Sequence, residues 1–165
     1  MMGNNGFWGK AVGFVGLLLL AATSCGPKRI YAEAEDLPVA GWHQDSLVVF
    51  QTDLKQVEKP LDVVIFIRHT TDYPYQNFWL FVQEQMAGGE LKSDTIECYL
   101  ADNRGRWLGN GIGAIKEMPI LYHTNVLMPD TGLYKIAIRQ GMRSEILKGI
   151  TNVGIELRES GNGEK

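Results

Sequence analysis

The stretch Tyr134-Lys-Ile-Ala-Ile-Arg139 alternates large apolar side chains with charged or small ones. Successive side chains of a β-strand point to opposite faces, so this alternation predicts a strand with one buried face and one face in water. The same pattern returns in residues 152–158, where Val153, Ile155 and Leu157 share one parity. We therefore predict two strands of this one-sided kind.

Segments rich in Val, Ile, Phe, Tyr and Thr recur along the chain and are separated by Gly, Asn, Asp and Pro. They predict strands at residues 45–53, 61–70, 77–85, 94–101, 106–115, 132–140 and 152–158. Residues 101–106 predict a hairpin turn, with Gly105 at positive φ, and residues 144–147 predict a single helical turn. About seven or eight strands without intervening helices predict an all-β fold, a single antiparallel β-sandwich of jelly-roll or immunoglobulin-like type.

Two of the predicted strands are apolar at both parities, namely residues 61–67 and 77–82. A strand of this kind is normally buried on both faces. We therefore expect another part of the chain to cover their outer faces, either the second layer of the sandwich or an irregular segment at residues 116–130.

The N-terminus has the features of an export signal. Lys10 precedes an apolar run at residues 11–22, which is shorter than the roughly 20 residues needed to span a bilayer. The following Ala22-Thr-Ser-Cys25 resembles a bacterial lipobox, in which the Cys receives a diacylglycerol and an acyl chain such as palmitate. The predicted organisation is a signal peptide at 1–24, the lipidated Cys25 with a tether at 25–36, the sandwich at 37–159 and a flexible tail at 160–165.

The distribution of charge and the spacing of reactive residues argue against several classes of function. The formal net charge is −3 and the basic residues are scattered, so no nucleic-acid surface is predicted. No Gly-x-Ser-x-Gly elbow accompanies His69 and Asp72, and the histidines have no ligand spacing around them. We expect no catalytic residue, no metal, no small-molecule substrate and no cofactor other than the covalent lipid. Cys98 shares a parity with Ile96 and Leu100, which predicts a buried thiol.

Aromatic residues and two arginines supply the candidate partner-binding surface. Exposed Tyr and Trp patches on a sandwich serve either protein contact or sugar stacking, and buried ones form core. All three interpretations remain open at this level. The candidate residues are Tyr73, Tyr75, Phe78, Trp79, Phe81, Trp107, Arg139 and Arg143.

Four stretches carry a family resemblance. Two of them, at residues 68–80 and 100–113, contain long and specific runs, Arg68-His-Thr-Thr-Asp-Tyr-Pro-Tyr75 and Trp107-Leu-Gly-Asn-Gly-Ile-Gly113. With the other stretches at 93–97 and 132–143, and with the lipobox in front, the chain resembles the gliding motility-associated lipoprotein GldH family over nearly its whole length.

The resemblance implies a non-enzymatic role in the surface-adhesin gliding machinery of the Bacteroidota, which is linked to type IX secretion. The partners it implies are other gliding and secretion lipoproteins and outer-membrane proteins. The basic Gly26-Pro-Lys-Arg29 after the Cys favours the periplasmic face of the outer membrane. The alternative function, suggested by the aromatic residues, is a carbohydrate- or peptidoglycan-binding envelope lipoprotein.

Overall fold

The computed structural model describes residues 26–55, 57–128 and 131–161, so the predicted signal peptide and Cys25 lie outside the described residues. Every regular element in this part of the chain is a β-strand. The strands are β1 (Arg29–Asp36), β2 (Trp42–His43), β3 (Val48–Lys55), β4 (Leu61–Thr70), β5 (Asn77–Met86), β6 (Lys92–Tyr99), β7 (Ile115–Val126), β8 (Thr131–Gln140), β9 (Ile146–Leu147) and β10 (Ile150–Glu159).

Two four-stranded sheets form the body of the fold. Their strand orders are β1-β10-β4-β7 and β3-β8-β5-β6, and β2 pairs with β9 in a small ribbon. All pairs of neighbouring strands are antiparallel. One hydrophobic cluster draws side chains from both large sheets. The predicted all-β antiparallel sandwich is therefore confirmed.

The core follows the alternation read from the sequence. In β8 the side chains of Tyr134, Ile136 and Ile138 are buried, whereas Lys135 and Arg139 are exposed. Burial of large apolar side chains of this size stabilises a fold by about 1.5–3 kcal/mol each. The largest fully buried side chains are Trp42, Tyr134, Phe50, Phe78, Leu61, Ile65, Ile67, Leu80, Leu100, Ile136, Ile138 and Leu147.

A buried carboxylate joins the two sheets inside this core. Glu84 of β5 accepts a hydrogen bond from the hydroxyl of Tyr134, with an O···O distance of 2.9 Å. Its other oxygen lies 2.9 Å from Nε2 of His123, which belongs to β7 in the opposite sheet. Both carboxyl oxygens thus have a hydrogen-bond partner, as a buried polar group requires.

Coverage of the strands differs from the sequence prediction in two places. Gly154 and Glu156 of β10 were expected on a solvent face but are buried, because Ala34 of β1 packs on Gly154 and the side chains of Arg29 and Arg158 pair with Glu156. Strand β4 is buried on both faces as predicted, with Val64 2% exposed. Strand β5 is not, because Trp79 and Phe81 remain 36% and 37% exposed.

The elements also differ in position. The segment expected as a tether forms β1 from Arg29 onward, because its backbone pairs with β10 along the sheet edge. The segment expected to be irregular forms most of β7, whereas residues 106–114 are largely loop. A glycine explains the shift: Gly111 has φ +151° and approaches Ile115 so closely that a Cβ would lie 2.3 Å from its carbonyl oxygen.

Two predictions about turns have opposite outcomes. The turn before Trp107 is confirmed, since Gly105 has φ +76° and Ala101 bridges Trp107. The helical turn at residues 144–147 is wrong. Ile146 and Leu147 instead form β9, because they pair with β2.

Candidate functional site

The middle of β5 provides the largest exposed side chains of the candidate set. Trp79 and Phe81 are two residues apart on the strand, so both point away from the core. On the neighbouring β8, Arg139 lies directly opposite Phe81. Leu47, which precedes β3, and Val49 on β3 add exposed apolar area, at 48% and 46% exposure.

Loop residues extend this surface at one end. Tyr75 is 40% exposed, and its hydroxyl forms a 3.0 Å hydrogen bond with Oγ of Ser144. Met142 is half-buried and Arg143 is exposed beside it. We term the whole surface the aromatic face, defined by Leu47, Val49, Tyr75, Trp79, Phe81, Arg139, Met142 and Arg143.

A glycine brings the loop after β8 against the strand. The backbone N–H of Gly141 donates to the carbonyl oxygen of Trp79 at 2.7 Å, and the backbone N–H of Trp79 donates to Sδ of Met142 at 3.4 Å. A Cβ on Gly141 would lie 3.2 Å from side-chain atoms of both Phe81 and Trp79. The absent side chain therefore lets the loop pack closely on the ring of Phe81 and on Cβ of Trp79.

Two open grooves flank the exposed rings. One has a volume of about 620 Å³ and lies beside Phe81, with Leu47, Asp94 and Arg139 in its wall. The other has a volume of about 520 Å³ and is lined by Tyr75, Asn77, Trp79, Gly141, Met142 and Arg143. The aromatic face is thus a ridge of two rings between two concave surfaces.

The charged residues of the aromatic face are Arg139 and Arg143, and Asp45 and Asp94 lie in the groove beside Phe81. Cζ of Arg139 lies 5.0 Å from the ring centroid of Phe81, a cation–π geometry. Within the described residues, neither Arg139 nor Arg143 forms an ion pair with a carboxylate. Glu97, across from Trp79 on β6, instead accepts a hydrogen bond from the side chain of Asn77 at 2.6 Å.

Two of the candidate residues belong to the core and not to this surface. Phe78 is fully buried and Tyr73 is 3% exposed. Phe78 has the opposite parity to Trp79 on β5, so its ring points inward, 6.2 Å from the ring of Trp42. The hydroxyl of Tyr73 donates to the carbonyl oxygen of Asn77 at 2.9 Å, and burial raises its pKa.

Trp107 lies in a separate groove of about 250 Å³, and Tyr75 lines both this groove and the one beside Trp79. The Trp107 ring packs on His69 at a centroid distance of 4.6 Å. His69 is fully buried, and burial lowers its pKa, which favours the neutral imidazole. The ring of His69 is therefore part of the packing around Trp107.

Sequence reasoning missed four contributors to the aromatic face. Leu47 and Val49 could have been found, because they share the parity opposite to the buried Phe50. Gly141 and Met142 carried no such signal, since their contacts with Trp79 depend on the way the loop returns to β5.

The acidic residues, histidines and thiol of the described part of the chain do not converge on a common site. No three His, Cys, Asp or Glu residues among residues 26–55, 57–128 and 131–161 lie close enough together to hold a metal ion.

The carboxylate of Asp102 accepts hydrogen bonds from the backbone N–H groups of Arg106 and Arg104. These hydrogen bonds, together with the positive charge of Arg106, lower the pKa of Asp102. Cys98 is buried as predicted, and burial raises its pKa to about 12.

No helix of the described residues has the length and apolar character to cross a membrane.

The fold and the aromatic face together define the class of protein: an antiparallel β-sandwich with an exposed surface of aromatic residues and arginines. A family model described as "GldH lipoprotein" matches residues 29–157. The chain therefore belongs to the GldH lipoprotein family.

Relatives of similar length support the membership. The chain is 37% identical over 151 residues to "Gliding motility lipoprotein GldH homolog" of Christiangramia forsetii, covering 87% of this chain and 92% of the relative. It is 34% identical over 154 residues to "Gliding motility lipoprotein GldH" of Flavobacterium johnsoniae, covering 87% and 95%. A chain in the structure of infectious bursal disease virus Gx strain is similar at a TM-score of 0.31 and 13% identity, over 83% of this chain and 32% of that one.

Proposed function

We propose that this protein is a non-catalytic outer-membrane lipoprotein of the gliding motility and type IX secretion-linked machinery, and that it binds a partner protein through the aromatic face. A diacylglycerol and an acyl chain on Cys25 hold it to the periplasmic face of the membrane. The candidate partners are other gliding or secretion lipoproteins and outer-membrane proteins.

The composition of the aromatic face is the observation that carries this proposal. Trp, Tyr, Met and Arg are enriched at the centres of protein interfaces, and the residues that dominate binding energy are mostly Trp, Tyr and Arg. Here Trp79, Tyr75, Met142 and two arginines without ion pairs lie together on one surface. A partner with a matching apolar centre and carboxylates would bury the rings and neutralise Arg139 and Arg143.

Two features of the N-terminal sequence support the anchoring. The lipobox-like Ala22-Thr-Ser-Cys25 provides the acylation site, and more than one acyl chain makes membrane attachment stable. The residues that follow Cys25 are basic, in Lys28 and Arg29, instead of the acidic residues that accompany export to the cell surface.

Crosslinking in membranes, followed by purification and mass spectrometry, tests the docking surface. Trp79→Ala removes the larger ring of the ridge, and Leu121→Ala is the matched control because Leu121 is 54% exposed on β7 of the other sheet. We expect Trp79→Ala to lose the crosslinked partner while Leu121→Ala retains it. Equal recovery of partners with both variants would contradict the proposal.

The second candidate function is glycan or peptidoglycan binding, because the two rings of Trp79 and Phe81 share one face and lie beside open grooves. Aromatic rings arranged in this way stack on sugars. Sedimentation with purified peptidoglycan and binding to immobilised glycans test this candidate. Glycan binding that disappears in Trp79→Ala, without loss of a protein crosslink, would favour it over protein docking.

A further inference from the structure

The chain leaves the sandwich at a defined end. β1 begins at Arg29, and the backbone N–H of Glu159 at the end of β10 donates to the carbonyl oxygen of Lys28 at 2.8 Å. We term this end the N-terminal pole, defined by the residues around the starts of β1, β4, β6 and β8 and the ends of β3, β5, β7 and β10.

The length of chain before this pole is short. Only Gly26, Pro27 and Lys28 separate Cys25 from β1. An extended chain spans at most about 3.3–3.6 Å per residue, so the four steps from Cys25 to Arg29 reach roughly 14 Å. A lipid on Cys25 would therefore hold the N-terminal pole close to the headgroups, with no room for another domain in between.

Exposed leucines lie on the loops of the same pole. Leu127 follows β7 and is 79% exposed, and Leu91 precedes β6 and is 58% exposed. β7 and β6 are the edge strands of the two sheets, and β7 is three strands away from β1. With a strand spacing of about 4.8 Å, Leu127 lies roughly 14 Å across the pole from the point where the chain enters, and Leu91 lies at the corresponding edge of the other sheet.

The rim of the pole carries four exposed lysines and three glutamates. Lys28, Lys55, Lys59 and Lys92 are exposed there, against the exposed Glu58 and Glu90. The more buried Glu159 already pairs with Lys28 and Lys59. Exposed leucines beside lysines match a layer of lipid headgroups above the acyl chains, because the leucine side chains can enter the apolar boundary while the ammonium groups stay at the headgroups.

We infer that the N-terminal pole is a membrane-contact surface, on which Leu127 and Leu91 enter the lipid headgroup region while the lipid on Cys25 anchors the opposite edge. The inference rests on the proposed lipidation of Cys25. Contact at two separated points fixes the tilt of the sandwich, with the strands running away from the bilayer. The aromatic face then points sideways, parallel to the membrane plane, towards partners anchored in the same membrane.

A site-directed fluorophore tests this contact in the lipidated full chain. Leu127→Cys and Leu91→Cys place a nitrobenzoxadiazole label on the pole. Ile112→Cys is the matched control, because Ile112 is an apolar residue that is 99% exposed in the loop before β7, at the other end of the sandwich. Cys98 is buried and hydrogen-bonded to Phe78, so the introduced thiol is the one labelled.

The labelled proteins are reconstituted into vesicles of phosphatidylethanolamine and phosphatidylglycerol, and quenching by a spin-labelled lipid is compared with quenching by aqueous iodide. We expect lipid quenching of the Leu127 and Leu91 labels to exceed that of the Ile112 label several-fold, with the reverse order for iodide. Equal quenching at all three positions would overturn the inference.

Flotation of the same vesicles separates the two possible failures. If the protein floats with the vesicles but the labels are quenched alike, the anchor stands and the membrane-contact surface is rejected. If the protein does not float and mass spectrometry finds no lipid on Cys25, the anchor fails and the inference fails with it.

Discussion

The guanidinium of Arg139 lies over the ring of Phe81, with Cζ 5.0 Å from the ring centroid. The two residues face each other directly across the pairing of β5 with β8. Because both side chains project outward, the contact holds a cation and a ring at the centre of the aromatic face before any partner binds.

A double-mutant cycle measures this contact. Phe81→Leu and Arg139→Gln should show a coupling of about 0.5–1 kcal/mol in the free energy of unfolding, as exposed cation–π pairs do. Urea unfolding of the two single variants and the double variant provides the measurement. Phe81→Leu combined with Lys135→Gln is the control, because Lys135 on β8 faces Gln85 instead of Phe81. A coupling as large in the control cycle would contradict the prediction.

Neighbouring positions on β5 should respond very differently to truncation. Phe78→Ala leaves a cavity in the core and should lower the free energy of unfolding by about 3–5 kcal/mol. Trp79→Ala removes a ring that is 36% exposed and should cost roughly 1 kcal/mol. Thermal and urea unfolding compare the two variants. Equal losses of stability would mean that the assigned faces of the strand are wrong.

The sequence predicted which side chains share a face of a strand better than it predicted which faces are covered by other parts of the chain. Parity correctly placed Tyr134, Ile136 and Ile138 together with the buried side chains. It failed for Glu156, which is buried beside Arg29 of the neighbouring β1, and for Trp79, which is exposed although its segment is apolar at both parities. Whether a face is covered depends on which strands become neighbours, and neighbouring strands such as β1 and β10 can lie far apart in the sequence.

The same limit applies to the candidate site. The face shared by Trp79 and Phe81 follows from their spacing alone, but the position of Arg139 over Phe81 depends on the register between β5 and β8. Strand β1 escaped prediction for a related reason. Most of its side chains are exposed, so its place in the sheet comes from backbone pairing with β10 and leaves no hydrophobic period.

The hydrogen bond between Tyr134 and Glu84 should contribute to stability. Tyr134→Phe removes the hydroxyl that donates to the buried carboxylate, and the loss should cost about 1–3 kcal/mol. Tyr122→Phe is a matched control, because within the described residues the hydroxyl of Tyr122 makes no hydrogen bond. Urea unfolding tests the pair, and a Tyr122→Phe loss as large as that of Tyr134→Phe would contradict the assigned role.

Asp62 should give stability a dependence on acid pH. Burial by itself raises the pKa of Asp62, but hydrogen bonds from Ser160, Asn125 and Thr124 and the charge of Arg158 outweigh it and hold the pKa below the ordinary value of 3.8. The unfolded chain therefore takes up a proton at this group first, so its stabilising contribution is present above about pH 4 and is lost as the pH falls through the folded pKa.

The measurement for Asp62 is the free energy of unfolding in urea between about pH 5 and pH 2, a range set by the ordinary Asp pKa. Asp62→Asn should lower stability near neutral pH and flatten the slope in this range. Asp53→Asn, on an exposed position of β3, serves as the control and should keep the wild-type slope. An unchanged slope in Asp62→Asn would refute the assignment.

Gly149 should tolerate no side chain, because it fixes the loop that brings Tyr75 to the aromatic face. Its φ is +89°, and a Cβ there would lie 2.7 Å from Cα of Tyr73, which is backbone and cannot turn aside. Its carbonyl oxygen also accepts the backbone N–H of Thr70 at 2.7 Å, just before that loop begins.

Gly88→Ala is the control that measures the cost of the backbone conformation alone. Gly88 has φ +71°, but no atom lies within 4 Å of an added Cβ. The left-handed conformation alone should cost about 1–2 kcal/mol there. Gly149→Ala should cost clearly more, and it should also weaken partner crosslinking, because the clash at Tyr73 displaces Tyr75 from its contact with Ser144. If the two variants lose the same stability and both keep the crosslink, the close approach of Gly149 to Tyr73 does not position the aromatic face.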